Sequence, residues 1–246
     1  MRWLIAILLS VRAWAGSDFT VASSQYIDIS SVVDDISSNG VGSVVLCINV
    51  TDYPDGTNLT HFSVTDLSAS TDYFYINIAA PDSALRIGLN TSVAQWRIDF
   101  NDRLELGRHC VAIVQDGVSP VVYVDGDTVS FTLAITTDVT AWFDDMSNLD
   151  AATIGAFRYN SSSLFYINNA VYDLHIYSRA LSEIEIKSLS ANSVVLGDLK
   201  GHWRIDECPA GTNVTNVYDI SGYGNHGTAI NNPTYTAEPI KTKARK

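Results

Sequence analysis

The sequence predicts an all-β protein, a two-sheet antiparallel β-sandwich of the jelly-roll kind, on three observations. Short runs rich in Val, Ile and aromatic residues recur from Phe19 onward, turn residues separate them, and one run alternates with period two. Its 246 residues, 46% hydrophobic and 10% aromatic, suffice for one large core and exclude a disordered chain.

The elements follow in order. Gly42–Val50 and Tyr73–Ile78 have strand composition. Ala94, Trp96, Ile98 and Phe100 alternate with Gln95, Arg97 and Asp99, as a half-buried strand must, because successive side chains point to opposite faces. Val111–Gln115 and Val121–Val124 come next, and Asp125-Gly126 turns a hairpin into Val129–Ile135. An acidic, Ser/Thr-rich loop, about Thr136 to Asp150, precedes Leu164–Ile167 and Val171–Tyr177. One helix is expected near 182–190, where Ser182 and Glu185 form a capping box and Ile186 and Leu189 an apolar face.

The formal net charge of −12 excludes a nucleic-acid surface, which needs a clustered basic face. The basic run Lys241, Lys243, Arg245, Lys246 reads as a flexible tail over 237–246. Residues 1–15 read as a secretory leader or an apolar N-terminal segment: Arg2, the apolar run Trp3 to Val11, then Ala13-Trp14-Ala15. That run is shorter than the roughly 20 residues a membrane span needs. Asn49, Asn58, Asn90, Asn160 and Asn213 each open an N-x-S/T glycosylation signal, in keeping with a secreted or particle-surface location. Cys47, Cys110 and Cys208 allow at most one intramolecular pair, and Cys47 and Cys110, in apolar strand-like runs, are read as buried free thiols.

Three stretches carry a family resemblance. Gly107-Arg-His-Cys-Val-Ala-Ile-Val-Gln-Asp-Gly117 followed by Val122-Tyr-Val-Asp-Gly126 resembles the paired strands WHHVAVV-DG and LYVDG of laminin-G-like, concanavalin A-like jelly rolls. Ala152-Thr-Ile-Gly-Ala156 with Val171-Tyr-Asp-Leu-His-Ile-Tyr-Ser-Arg-Ala-Leu-Ser-Glu-Ile-Glu-Ile186 is similar to that family's IG and IDDVRIYNRALSAAEI. Phe19-Thr-Val-Ala-Ser-Ser-Gln-Tyr-Ile-Asp-Ile29 resembles FDGSDDYVDI. The segment that opens such domains, WPFDEG…DSSGNGHHG, has its counterpart at the far end, in Gly201-His-Trp-Arg-Ile-Asp-Glu207 and Asp219-Ile-Ser-Gly-Tyr-Gly-Asn-His-Gly227. One domain over 16–236 is therefore expected, with 199–236 either closing its own sandwich or completing a neighbouring subunit's sheet.

Catalysis is not expected. The E-x-D-x-x-E carboxylates of glycan-cleaving enzymes on this fold are missing. Glu183 and Glu185 are explained as helix-start residues, Asp99 and Asp102 as turn formers, and His109 as a structural residue. His175, His202 and His226 have no recognisable nucleophile motif around them.

The resemblance implies Ca²⁺ as a cofactor, an ion that takes six to eight oxygen ligands. Candidate ligands are Asp52 and Asp55, Asp144 and Asp145, and Asp219 with Asn225. For ligand stacking, Trp142 in the acidic loop leads, followed by Tyr53 and Tyr223, while Trp96 and Trp203 read as core.

The expected function is a non-catalytic extracellular recognition or adhesion module binding a glycan or a surface protein. The alternative is a self-assembling surface subunit of a virion, coat or filament, whose partners are copies of itself.

Overall fold

The computed structural model describes residues 15–237 apart from 70, 81 and 161; residues 1–14 of the leader-like stretch and the basic run Lys241–Lys246 lie outside them. The chain forms a sandwich of two large antiparallel sheets, as the sequence predicts. The first runs in the order Asp127–Thr128, Val121–Val124, Gly107–Gln115, Gly42–Val50, Ala170–Tyr177, Ala15–Asp18, Thr234–Ala237, and Leu199–Arg204 pairs the remaining half of Ala170–Tyr177. The second runs Phe131–Thr136, Val93–Phe100, Leu85–Thr91, Asp72–Ile78, Leu59–Thr65, Ala151–Ile154, Tyr26–Asp28, Gly227–Ile230, Asn216–Val217. A two-stranded hairpin, Phe157–Tyr159 with Ser162–Leu164, stands apart.

Alternation decides what each sheet contributes. Leu46, Ile48, Val111, Ile113, Leu174 and Ile176 of the first sheet face Phe62, Val64, Phe74, Ile76, Ile87, Leu89 and Ile98 of the second, all buried in one core. Phe74 is central, with ring centroids at 5.5 Å from Trp142 and 5.4 Å from Phe143. Removing such a ring costs about 3–5 kcal/mol.

Trp96 and Trp203 are core residues, and each indole is satisfied: Trp96 Nε1 donates to Ala141 O at 2.9 Å and Trp203 Nε1 to Asn225 O at 2.7 Å. Asp125 and Gly126 take the positive φ angles, 54° and 94°, that a type I′ hairpin requires, but the returning strand is Asp127–Thr128, and Phe131–Thr136, expected as its continuation, pairs with Val93–Phe100 in the second sheet.

The C-terminal segment pairs within the chain. Leu199–Arg204 lies along Asp173–Tyr177, Gly227–Ile230 along Tyr26–Asp28, and Thr234–Ala237 along Ala15–Asp18. The helix Glu183–Ser190 has the expected Ser182–Glu185 capping box. Ile186 and Leu189 pack it on the outer face of the first sheet, against Val45, Ala112, Val114 and Tyr177. A second, four-residue helix, Val33–Ile36, was not foreseen.

Two further expectations are corrected. Cys47 and Cys110 are joined in a disulfide rather than free, because the register sets them directly opposite on neighbouring strands, with Cα atoms 4.0 Å apart. The strand expected over Leu164–Ile167 ends at Leu164, since Phe165 turns the chain with φ 52°. The helix covers part of the first sheet's outer face, around Val45, Ala112, Val114 and Tyr177.

Candidate functional site

Because Phe74 and Ile76 point inward, Tyr73, Tyr75 and Asn77 must point outward, and the register extends the pattern across three strands. Tyr75 stands opposite Gly88, and Gly88 opposite Arg97; Asn77 stands opposite Arg86, and Arg86 opposite Asp99. The hairpin Phe157–Tyr159/Ser162–Leu164 then walls one side, with Phe157 edge-on to Tyr73 at 5.4 Å and to Tyr75 at 6.5 Å. The result is a cleft of about 410 Å³ lined by Asn58, Thr60, Tyr73, Tyr75, Asn77, Arg86, Arg97, Phe157, Tyr159, Leu164 and Phe165.

Asp99 fixes both guanidinium groups. Its Oδ1 accepts from Arg86 Nε at 2.8 Å and Arg97 Nε at 3.0 Å, and its Oδ2 from Arg97 Nη2 at 2.9 Å. Arg86 Nη2 also reaches Asp82 Oδ2 at 3.4 Å, so two carboxylates balance the two guanidiniums, but neither Nη1 has a hydrogen-bond partner among the described residues and both remain as charged donors for a ligand.

Burial pushes the Tyr75 phenol up to about 12, against the opposing pull of Arg97, and burial also raises Tyr73. Both phenols therefore stay neutral near pH 7. Asn90 Nδ2 donates to the Tyr73 hydroxyl at 3.2 Å. At the base, Asn77 Oδ1 and Thr60 Oγ1 are buried without a partner. Buried polar atoms are nearly always paired, so orphans in a cleft mark where a ligand's polar groups are wanted.

This arrangement offers charge-assisted donors, neutral hydroxyls and aromatic faces. The lining has no carboxylate, imidazole or thiol, the groups that most often serve general acid–base chemistry.

Most residues singled out in the sequence fall elsewhere; the exceptions are Asn58 and Asp99, the latter lying within the strand Val93–Phe100 as the arginine clamp rather than forming a turn. Trp142 is 1% exposed, stacked with its indole 6.2 Å from that of Trp96 and its ring 4.6 Å from Phe143; it plugs the acidic loop into the core and has no face for a ligand. Tyr223 is exposed beside Lys200, whose Nζ lies 2.9 Å from its hydroxyl. Tyr53, Asp52 and Asp55 line a neighbouring cleft. Among the glycosylation signals only Asn58 lines the main cleft, while Asn90 binds Tyr73 at its edge and Asn160 turns the hairpin wall with φ 47°. Asn49 belongs to the first sheet, and Asn213 is exposed near the C-terminal strands.

Among the described residues none of the aspartates expected as calcium ligands falls in a group of three ligand-type side chains within 4.8 Å of one another. Asp219 is filled by donors: His202 N and Ser221 N at 2.9 Å, Ser221 Oγ at 2.8 Å and Asn225 N at 2.9 Å. Burial opposes its charge, but these donors hold its carboxyl below the usual range, and no lone pair is left facing a cation. Asn225 Nδ2 donates to Asp35 Oδ2 at 2.8 Å and to Lys200 O at 3.2 Å, which ties this loop to the Val33–Ile36 helix. Asp145 Oδ2 accepts from Trp142 N at 3.0 Å as a cap, and Asp144 is raised by burial and by Asp145.

Among the described residues the one group of three ligand-type side chains within 4.8 Å of one another is Asp173, His175 and His202, all buried. Both imidazole Nε2 atoms contact the Asp173 carboxylate, at 3.1 and 3.0 Å, a nitrogen-rich set unlike the all-oxygen shell of calcium.

Arg86, Arg97, Tyr73 and Tyr75 were missed. Their signal was present: three successive outward faces carry Tyr-x-Tyr-x-Asn, Arg-x-Gly-x-Asn and Arg-x-Asp in place of the Ser, Thr and Lys usual on a solvated sheet.

No family model matches the chain, and neither does any curated protein. Solved structures do. The CBM40 domain of the Ruminococcus gnavus IT-sialidase aligns with TM-score 0.58 at 13% identity, covering 71% of this chain and 96% of that one. The same domain bound to α2,3-sialyllactose aligns with the same figures. The NanB sialidase of Streptococcus pneumoniae aligns with TM-score 0.58 at 16% identity over 71% of this chain and 27% of that one. At such identities the likeness shows a shared β-sandwich fold.

Proposed function

We propose that this protein is a non-catalytic glycan-recognition module that binds a carboxylate-bearing sugar in the Arg86–Arg97 cleft. The observation that carries the reading is the convergence of two Asp99-clamped guanidiniums, the Tyr73 and Tyr75 phenols and the orphaned Asn77 and Thr60 oxygens on one walled sheet face. A guanidinium recognises a planar carboxylate through charge-assisted hydrogen bonds, while aromatic rings accept the apolar face of a pyranose. The sialyllactose bound by the Ruminococcus gnavus domain is a ligand of this class and supports the choice. The laminin-G-like motifs and the glycosylation signals support a role outside the cell, as a recognition or adhesion module.

The test is calorimetric titration of the full chain with α2,3-sialyllactose and with lactose. Binding of the first alone, weakened about tenfold or more in Arg97→Gln, is the expected result; a charge-assisted bond is worth about 1.5–3 kcal/mol. Equal binding of both sugars, or none of either, sinks the proposal.

A further inference from the structure

A second cleft, of about 360 Å³, lies on the far side of Leu164 and Phe165, and those two residues line both hollows. Its chemistry is the opposite of the first. Asp52 and Asp55 are on its wall with Tyr53 and Tyr166, and no arginine or lysine lines it. We infer that the ligand is an oligosaccharide crossing the Leu164–Phe165 ridge, its acidic sugar on Arg86 and Arg97 and an uncharged pyranose in this second cleft.

The inference rests on the glycan reading above and adds three observations. Asp52 Oδ2 and both oxygens of Asp55 have no partner among the described residues, so they face solvent as acceptors for sugar hydroxyls. The same carboxylates repel a second acidic sugar, which fixes the order of the two units.

Tyr53 is held rigidly: its hydroxyl donates to Leu104 O at 2.8 Å and the Arg103 guanidinium sits 4.6 Å from its ring centre. A side chain already fixed loses little freedom when it binds. Finally, the ridge itself is strained and exposed. Phe165 adopts φ 52°, a region bulky residues rarely enter and one that clusters at ligand sites; its carbonyl is held by Thr60 N at 2.9 Å, and Leu164 is 41% exposed.

The experiment titrates the wild-type chain, Tyr166→Ala and Asp55→Asn with the methyl glycoside of sialic acid and with α2,3-sialyllactose. Wild type is expected to bind the trisaccharide about tenfold more tightly than the monosaccharide, a clear and measurable margin. Each variant is expected to erase that margin and leave the monosaccharide Kd unchanged, which also shows that the variant is folded. Equal wild-type affinities, or variants that keep the margin, overturn the extension while leaving the arginine cleft intact. Failure of wild type to bind either sugar removes the reading beneath it as well, and calcium binding lost in Asp55→Asn assigns the second cleft to a cation instead.

Discussion

Gly88 lies directly beneath the phenol of Tyr75: a Cβ built on Gly88 would stand 2.7 Å from the Tyr75 hydroxyl oxygen and 2.8 Å from the ring carbon bearing it. The missing side chain lets Tyr75 lean across the neighbouring strand toward Arg97, which is opposite Gly88 on its other side. Glycine within a strand weakens the strand unless a close approach requires it.

Gly88→Val is therefore expected to favour the strand and to displace Tyr75. Ligand affinity should fall about tenfold while Tm holds or rises, read by calorimetry beside a thermal melt. Unchanged affinity would mean that Tyr75 does not touch the ligand.

Asp99 separates two accounts of the arginine pair. If charge alone attracts the ligand, Asp99→Asn should strengthen binding, because it removes the carboxylate next to two arginines. If the arginines must be held in place, the same change should weaken it. The clamp geometry, with three hydrogen bonds onto one carboxylate, favours the second outcome. We expect about a fivefold to tenfold loss of affinity for sialyllactose, together with a steeper dependence on ionic strength.

Fold and site were unequally legible in the sequence. The hairpin at Asp125-Gly126 and the cap at Ser182 are set by neighbouring residues and could be read directly, as could the core positions of Trp96 and Trp203 in alternating strands. The cleft is different. Arg86 and Arg97 are neighbours only through the register of Leu85–Thr91 on Val93–Phe100, and Phe157 reaches Tyr73 only because a separate hairpin folds over the sheet. No short-range pattern encodes that meeting. Trp142 misled for the same reason: a tryptophan in an acidic loop looks available until the loop is seen to end in the core beside Phe74 and Trp96.

Acid should destabilise the fold in two stages. His61 is fully buried, and burial lowers its folded-state value to about 3, against roughly 6.5 when unfolded. Between those values the unfolded chain binds the extra proton, so stability is complete above about pH 6.5 and falls with pH, by up to about 1.4 kcal/mol per unit. His202 is lowered mainly by burial, which outweighs its hydrogen bond to Asp173, and acts in the same direction below about 6.5. Burial opposes the charge of Asp173, yet the two imidazoles beside it hold its carboxyl well below the ordinary range. Its contribution is present above about pH 4 and is lost below that. Urea midpoints at pH 8, 6, 5 and 4 should decline, and His61→Gln should flatten the part between 6 and 4. A midpoint independent of pH from 8 to 4 would show that neither imidazole is buried as described.

The Cys47–Cys110 bridge joins residues 63 apart in sequence. Closing a loop of that length restricts the unfolded chain by about 4 kcal/mol in the chain-entropy account. Cys47→Ala/Cys110→Ala should lower the unfolding free energy by about 2–4 kcal/mol, measured by urea titration, with sugar affinity unchanged because the bridge lies on the sheet opposite the cleft. A parallel loss of binding would couple the two sheets in a way the packing does not suggest.

Asn58 sets a condition on where the protein can work as a glycan binder. It opens an N-x-S/T signal, yet it lines the cleft, and its Oδ1 already accepts from Ala80 N at 3.0 Å. A sugar chain built on its Nδ2 would occupy the mouth of the site and compete with any ligand at very high effective concentration. Protein secreted from eukaryotic cells with Asn58 glycosylated should therefore bind sialyllactose weakly or not at all. The same chain from bacteria should bind, and Asn58→Gln should restore binding to the eukaryotic product. Intact mass with peptide mapping reports occupancy at Asn58, and calorimetry on the same sample reports affinity. Full binding by a product occupied at Asn58 would move the ligand away from this cleft, because a branched glycan and a bound sugar cannot share a hollow of about 410 Å³.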